Sequence, residues 1–114
     1  MQNHFWIIFE LKTISYFEKE FKRLHKKYPS LNSDLFKLIS QLESDPTLGA
    51  FLGKGFYKIR LNISSKGKGK SGGGRIITCV KIVQSVVYLA SIYDKSEKPD
   101  ISDSELKFLA TQIG

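Results

Sequence analysis

Lys58 and Arg60 stand two residues apart in a run of alternating character, Arg75 opens a long apolar run, and Tyr93 and Lys95 flank Asp94. Cations and a phenol of this kind suit a phosphodiester. Guanidinium and ammonium groups stabilise charge on phosphate oxygens, and a positioned lysine or phenol can exchange a proton with a ribose 2′-hydroxyl. If the two runs pair as neighbouring strands, Lys58, Arg60 and Arg75 converge on one face. The competing reading is structural: Arg60 and Arg75 snorkel or pair with acids, and Tyr93 is a half-buried core residue.

Between those runs lies Ser65 to Arg75, Ser-Lys-Gly-Lys-Gly-Lys-Ser-Gly-Gly-Gly-Arg, with no acidic or apolar side chain. Glycine is entropically costly to order, so this stretch is expected to be a mobile loop unless a ligand fixes it. Lys66, Lys68 and Lys70, with Lys54 upstream, are candidate contacts to an RNA backbone. Gly67, Gly69 and Gly72 satisfy the letters of a dinucleotide fingerprint, but that motif needs a following helix, and here a strand pattern follows. Gly69-Lys70-Ser71 imitates the end of a phosphate-binding P-loop, yet Ser65 stands where its first glycine belongs. His4 and His25 are the only histidines, so no metal site, cofactor or histidine-based catalytic set is expected. The carboxylates lie away from the basic segment in sequence, which argues against paired-carboxylate hydrolysis.

Charge is distributed unevenly over the 114 residues. Residues 1–45 carry seven basic and six acidic side chains, residues 46–93 carry eight and none, and residues 94–114 carry three and five. The middle segment therefore predicts one positive surface and a polyanionic partner. Cys79 is the single cysteine and lies in an apolar run, as expected of a buried thiol in a reducing cytosol. Neither a signal peptide nor a bilayer-spanning segment is read, so a cytoplasmic protein with no membrane partner is expected.

These groups need a framework, and the pattern predicts one domain over residues 1–114. Phe5 to Thr13 reads as a strand, dense in aromatic and β-branched residues. A helix follows from Ser15, where Ser15 and Glu18 have capping-box spacing and Phe17, Phe21, Leu24 and Tyr28 share a face. Pro29 ends it. A second helix starts near Ser30 to Ser33 with Leu35, Leu38, Ile39 and Leu42 as its stripe, and Asp45-Pro46 closes it. Leu48 to Gly55 reads as a turn-rich connection. Tyr57, Ile59, Leu61 and Ile63 alternate with Lys58, Arg60 and Asn62 as a strand. Arg75 to Val83 and Val86 to Tyr93 form two more around a tight Gln84-Ser85 turn. Ser102 and Glu105 make a capping box for a terminal helix carrying Leu106, Leu109, Ala110 and Ile113. The order β-α-α-β-β-β-α, with a helix hairpin beside a three-stranded antiparallel meander, argues an α+β fold.

Three segments together resemble the RelE/HigB superfamily of bacterial toxins, in particular its HigB2-like branch. They are Phe56-Tyr57-Lys58-Ile59-Arg60-Leu61, Gly67 to Ile77 with its glycine-lysine-serine-glycine-arginine block, and Ile92-Tyr93-Asp94-Lys95-Ser96-Glu97. The resemblance spans nearly the whole chain and implies a RelE-like fold. It also implies an mRNA interferase that cleaves messages in the ribosomal A site, with ribosome, rRNA and mRNA as partners. A cognate antitoxin, of helix-turn-helix type, would neutralise it. By position, Lys58 and Arg60 match the basic strand residues of the family's site, Arg75 its phosphate-binding arginine, and Tyr93 with Lys95 the end of its catalytic strand. Some members use histidines or a tyrosine in the terminal helix, where this chain has only Phe108, so the general base stays open between Lys58, Lys95 and Tyr93. The ParE branch shares the fold and inhibits gyrase instead, so a non-nuclease toxin or plain RNA-binding module is the alternative.

Overall fold

The computed structural model describes residues 8–67 and 73–113. Strand β1 (Glu10–Thr13) leads into helices α1 (Ser15–Lys27) and α2 (Leu31–Ser44), then strands β2 (Ala50–Gly53) and β3 (Phe56–Leu61). A 3₁₀ turn (Ser64–Lys66) precedes strands β4 (Gly74–Lys81) and β5 (Val86–Asp94), and helix α3 (Asp103–Gln112) ends the chain. The strands form one mixed sheet in the order β1-β5-β4-β3-β2. β1 runs parallel to β5, and every other neighbouring pair is antiparallel. This is the α+β architecture expected from the pattern, with one more strand than the expected meander.

That strand is β2, inside the stretch expected to be a connection. Its turn to β3 uses Lys54 at φ +53° and Gly55 at φ +84°. The pairing slips between Phe51 and Gly53. Two further boundaries move. β4 stops at Lys81, and Ile82–Ser85 make the turn, closed by Ser85 N–H donating to the Ile82 carbonyl at 3.0 Å. At α1 the expected capping box is absent: Ile14 is the N-cap, and Glu18 instead accepts from the Thr13 hydroxyl. The box at Ser102 and Glu105 is present with both of its bonds. Phe5, Trp6 and Ile7 of the expected first strand lie outside the described residues.

The sheet is covered on both faces, which is why β4 and β5 are buried along nearly their whole length rather than at alternate positions. On one face the stripes of α1 and α2 (Phe17, Leu24, Leu31, Leu38, Leu42) meet Ile59, Leu61, Ile76, Leu89 and Ile92. On the other, Leu109 and Ile113 of the C-terminal segment meet Phe56, Ile77, Cys79, Ala90 and Tyr93. Leu24, Leu31 and Ile76 are wholly buried, each worth roughly 1.5–3 kcal/mol of transfer free energy. A bulge in the β4–β5 ladder, where Ile77 pairs with Ser91 but Thr78 pairs with Leu89, skips Ala90. It resets the alternation, so that Leu89 and Ile92 share the helix-hairpin face although they are three residues apart.

Candidate nucleic-acid interface

The ladder registers set the basic residues in a row across three strands. Arg60 on β3 lies directly opposite Arg75 on β4, and Arg75 lies directly opposite Tyr93 on β5. Directly opposite side chains start about 5 Å apart. Lys58 is one step along the same face of β3, opposite Ile77. Alternation along β3 sends Ile59 and Leu61 to the helix hairpin, so Lys58 and Arg60 share the α3 face with Phe56.

Within the row, depth differs. Arg60 is exposed. Arg75 is 8% exposed and donates to its neighbour's carbonyl, Gly74 O, at 2.9 Å. Tyr93 is 3% exposed and packs in the α3-side core. Its hydroxyl is fully covered and has no hydrogen bond within normal geometry, although the Asp100 carboxylate is close enough to bear on it. Burial first, then Asp100, push the Tyr93 phenol up to about 12. It is therefore neutral at physiological pH, able to donate a proton and unsuited to removing one.

Asp100 is the group that sequence reasoning missed. Its carboxylate accepts from Lys58 Nζ at 2.9 Å, and that bond, with one from the Ile101 N–H, holds its pKa below the usual carboxylate range. Lys95 adds to the same lowering from further off, so Asp100 collects the field of both lysines. Beside it, Lys98 Nζ sits 4.8 Å from the centre of the Tyr93 ring and bonds Glu105 at the start of α3. The segment 98–100 thus covers the phenol and clasps Lys58. Its acidic residue lies 42 positions from Lys58 in the chain, and nothing in local spacing signals that pairing.

Lys66 departs from expectation. It turns inward, with a side chain 7% exposed, and donates to Asp94 Oδ1 at 2.6 Å and to the Gly73 carbonyl at 3.1 Å. Asp94 is 0% exposed and also accepts from the Tyr28 hydroxyl at 2.5 Å and from Ser96. Burial would raise the Asp94 pKa, but the bonds from Lys66, Tyr28 and Ser96 outweigh it and hold the carboxyl well below its ordinary range. Lys66 is therefore a clip that closes the base of the glycine-lysine loop, since Lys95 N–H also donates to Gly73 O at 3.1 Å. Gly73 itself, at φ +43°, passes so close to β3 that a Cβ would meet the Leu61 carbonyl at 2.7 Å. Lys68 and Lys70 lie outside the described residues. Lys54 sits in the β2–β3 turn, at the end of β3 remote from Arg60. Phe108 packs edge-on against Tyr16, ring centres 5.4 Å apart.

The structure thus brings together Lys58, Arg60, Arg75 and Tyr93, with Lys95 following β5 past Asp94, and leaves Lys54 and Lys66 apart from them. Such a face belongs to a small α+β domain whose sheet carries one exposed arginine opposite a buried one. A family model described as the RelE toxin of the RelE/RelB toxin–antitoxin system matches residues 14–113, and the chain belongs to that family. Solved structures agree in fold. A mutant of the E. coli toxin RelE in the free state superposes with a TM-score of 0.63 at 18% identity, covering 94% of this chain and 99% of that one. The toxin in the intact E. coli RelBE toxin–antitoxin complex gives 0.58 at 21% identity, covering 75% and 95%. The same toxin mutant bound to a peptide of the antitoxin RelB gives 0.58 at 20%, covering 90% and 94%. Among the described residues no helix is long and apolar enough to cross a membrane.

Proposed function

We propose that this RelE-family toxin is a ribosome-dependent endoribonuclease that cuts mRNA in the ribosomal A site, acts in the cytoplasm and is held in check by a cognate antitoxin of helix-turn-helix type. The observation that carries the reading is the row Arg60–Arg75–Tyr93, with Lys58 beside it. Two arginines directly opposite one another, one exposed and one buried, concentrate positive field at one spot on the sheet, which suits a phosphate.

In the proposed reaction the 2′-oxygen of one nucleotide attacks the adjacent phosphorus and the bond to the 5′-oxygen breaks, giving a 2′,3′-cyclic phosphate and a 5′-hydroxyl. Arg60 and Lys58 contact the non-bridging oxygens, and Arg75 adds its field from below. Tyr93, kept neutral, supplies a proton towards the departing 5′-oxygen once the 98–100 segment lifts from its hydroxyl. Removal of the 2′-hydroxyl proton falls to Lys95, because Lys58, ion-paired with Asp100, serves as a cation. Lys68 and Lys70 hold the RNA backbone near the site.

The burial of the Tyr93 hydroxyl favours one other reading, a toxin that occupies its target without cutting it. Induced expression followed by mapping of mRNA 5′ ends separates the two. The nuclease reading predicts new ends inside coding regions within the period of growth arrest. Arrest with intact messages would leave the blocking reading.

A further inference from the structure

The segment between β5 and α3 is fixed at both ends. On the β5 side the N–H groups of Glu97 and Lys98 each donate to the Asp94 carbonyl at 3.0 Å, and the Glu97 carboxylate accepts from Arg23 of α1 at 3.0 Å and from Lys27 at 3.4 Å. On the α3 side Ile101 packs into the core with Leu109, and Ser102 caps the helix. Between them Pro99 has its φ locked by its ring. Asp100 is therefore no loose surface acid. The fold carries its carboxylate onto the α3 face of the sheet, where the Ile101 N–H donates to Oδ1 at 2.8 Å and sets its direction.

What that carboxylate reaches is the proposed phosphate site. Asp100 Oδ1 accepts from Lys58 Nζ at 2.9 Å, lies close enough to the Tyr93 hydroxyl to act on it, and sits in the field of Lys95. These are three of the groups assigned above to the reacting phosphodiester. A carboxylate oxygen resembles a phosphate oxygen in charge and in the bonds it accepts. The free protein thus already holds an oxyanion on Lys58, beside the phenol. Its hold is weak in kind: the Asp100 side chain is 63% exposed, and an exposed ion pair stabilises little, so the contact fills the site without locking it. Anchoring of the segment falls to Glu97, Ile101 and Ser102, which leaves the Lys58 pair little structural work. Two anions at one ammonium repel each other, so a phosphate arriving at Lys58 either pushes the carboxylate aside or binds more weakly next to it.

We propose that Asp100 is an internal stand-in for the scissile phosphate, occupying Lys58 in the free protein and yielding it to the phosphodiester of RNA. The inference rests on the assignment of Lys58 as a phosphate contact in the nuclease reading, and adds to it a device that lowers the affinity of the site for stray anions. A message brings many phosphates to a basic surface at once and displaces the carboxylate; a single free phosphate competes with it poorly.

The test measures binding of inorganic phosphate to the full chain at low ionic strength by NMR titration, read at the amides of Lys58, Arg60 and Tyr93, and requires no cutting. Asp100→Asn keeps the shape and the acceptor for the Ile101 N–H but carries no charge. It should bind phosphate roughly two- to five-fold more tightly than wild type, the range expected from removing one exposed pair. Circular dichroism verifies that the variant is folded. In wild-type protein saturating phosphate should also move the carboxyl carbon resonance of Asp100, a reading that depends on no variant. Equal or weaker phosphate binding by folded Asp100→Asn, or an Asp100 carboxyl resonance that stays still, overturns the inference and leaves the nuclease reading standing. Tighter binding by the variant together with uncut messages on ribosomes upholds Asp100 as the competitor of phosphate and removes the nuclease reading instead.

Discussion

Replacing Arg60 by methionine should make the protein more stable while removing its toxicity. Arg60 and Arg75 face each other across β3 and β4. Arg60 makes no hydrogen bond or ion pair among the described residues. Two unit charges about 7 Å apart repel by roughly 0.6 kcal/mol at the dielectric of water and roughly 2.4 kcal/mol at an effective dielectric of about 20. Arg60 is exposed, so the lower figure applies, and methionine keeps the aliphatic stem that covers the sheet. A gain of about 0.6 kcal/mol in a domain of this size corresponds to a rise in Tm of roughly 2–4 °C. The assay is thermal unfolding followed by circular dichroism, at low ionic strength and without phosphate. Added inorganic phosphate should then raise the Tm of the wild type more than that of the variant, because Arg60 is one of the phosphate contacts in the proposed site. A variant that melts several degrees below wild type, or responds equally to phosphate, would refute the idea that Arg60 is kept for phosphate binding at a cost in stability.

Asp94→Asn leaves the Lys66 ammonium buried without its counter-ion and should cost about 3–5 kcal/mol in denaturant unfolding. Because the folded Asp94 pKa is lowered, its contribution is complete above the unfolded value near 4 and is lost as pH falls below it. Wild-type stability should therefore drop towards the variant's in acid. Asp100→Asn removes one cause of the raised Tyr93 pKa, so the phenol should titrate below about 12 in near-UV absorbance; an unchanged midpoint would separate Asp100 from Tyr93. A raised phenol pKa contributes stability that is present below about pH 10 and lost between there and about pH 12. Gly73→Ala forces a Cβ against the Leu61 carbonyl at a positive φ and should cost about 1–3 kcal/mol. Loss of less than 0.5 kcal/mol would show that the loop base relaxes freely.

The strands that carry the row were legible because β3 alternates cleanly, and the helix stripes and the Ser102 capping box named their own positions. What escaped has physical causes. β2 is four residues long and bounded by glycines, so its composition reads as turn, and only pairing with β3 makes it a strand. The bulge at Ala90 breaks the two-residue period, a tertiary event with no local signature. Charge misled most. Residues 46–93 hold no carboxylate, yet folding brings Asp94 onto Lys66 and Asp100 onto Lys58. A basic stretch in sequence therefore overstates the free positive charge on the surface. The same pairings turned Lys66 from an expected RNA contact into a structural clip and placed an acid at the edge of the candidate site.

The most direct test of the central claim is a purified translation system in which a defined message is followed by primer extension, with and without ribosomes. A ribosome-dependent nuclease should give cuts at the A-site codon when ribosomes are present, 5′-hydroxyl ends on the downstream fragments, no cuts in naked message, and loss of cutting in Arg60→Met although that variant is folded. Intact message on stalled ribosomes, or equal cutting by wild type and Arg60→Met, would contradict it.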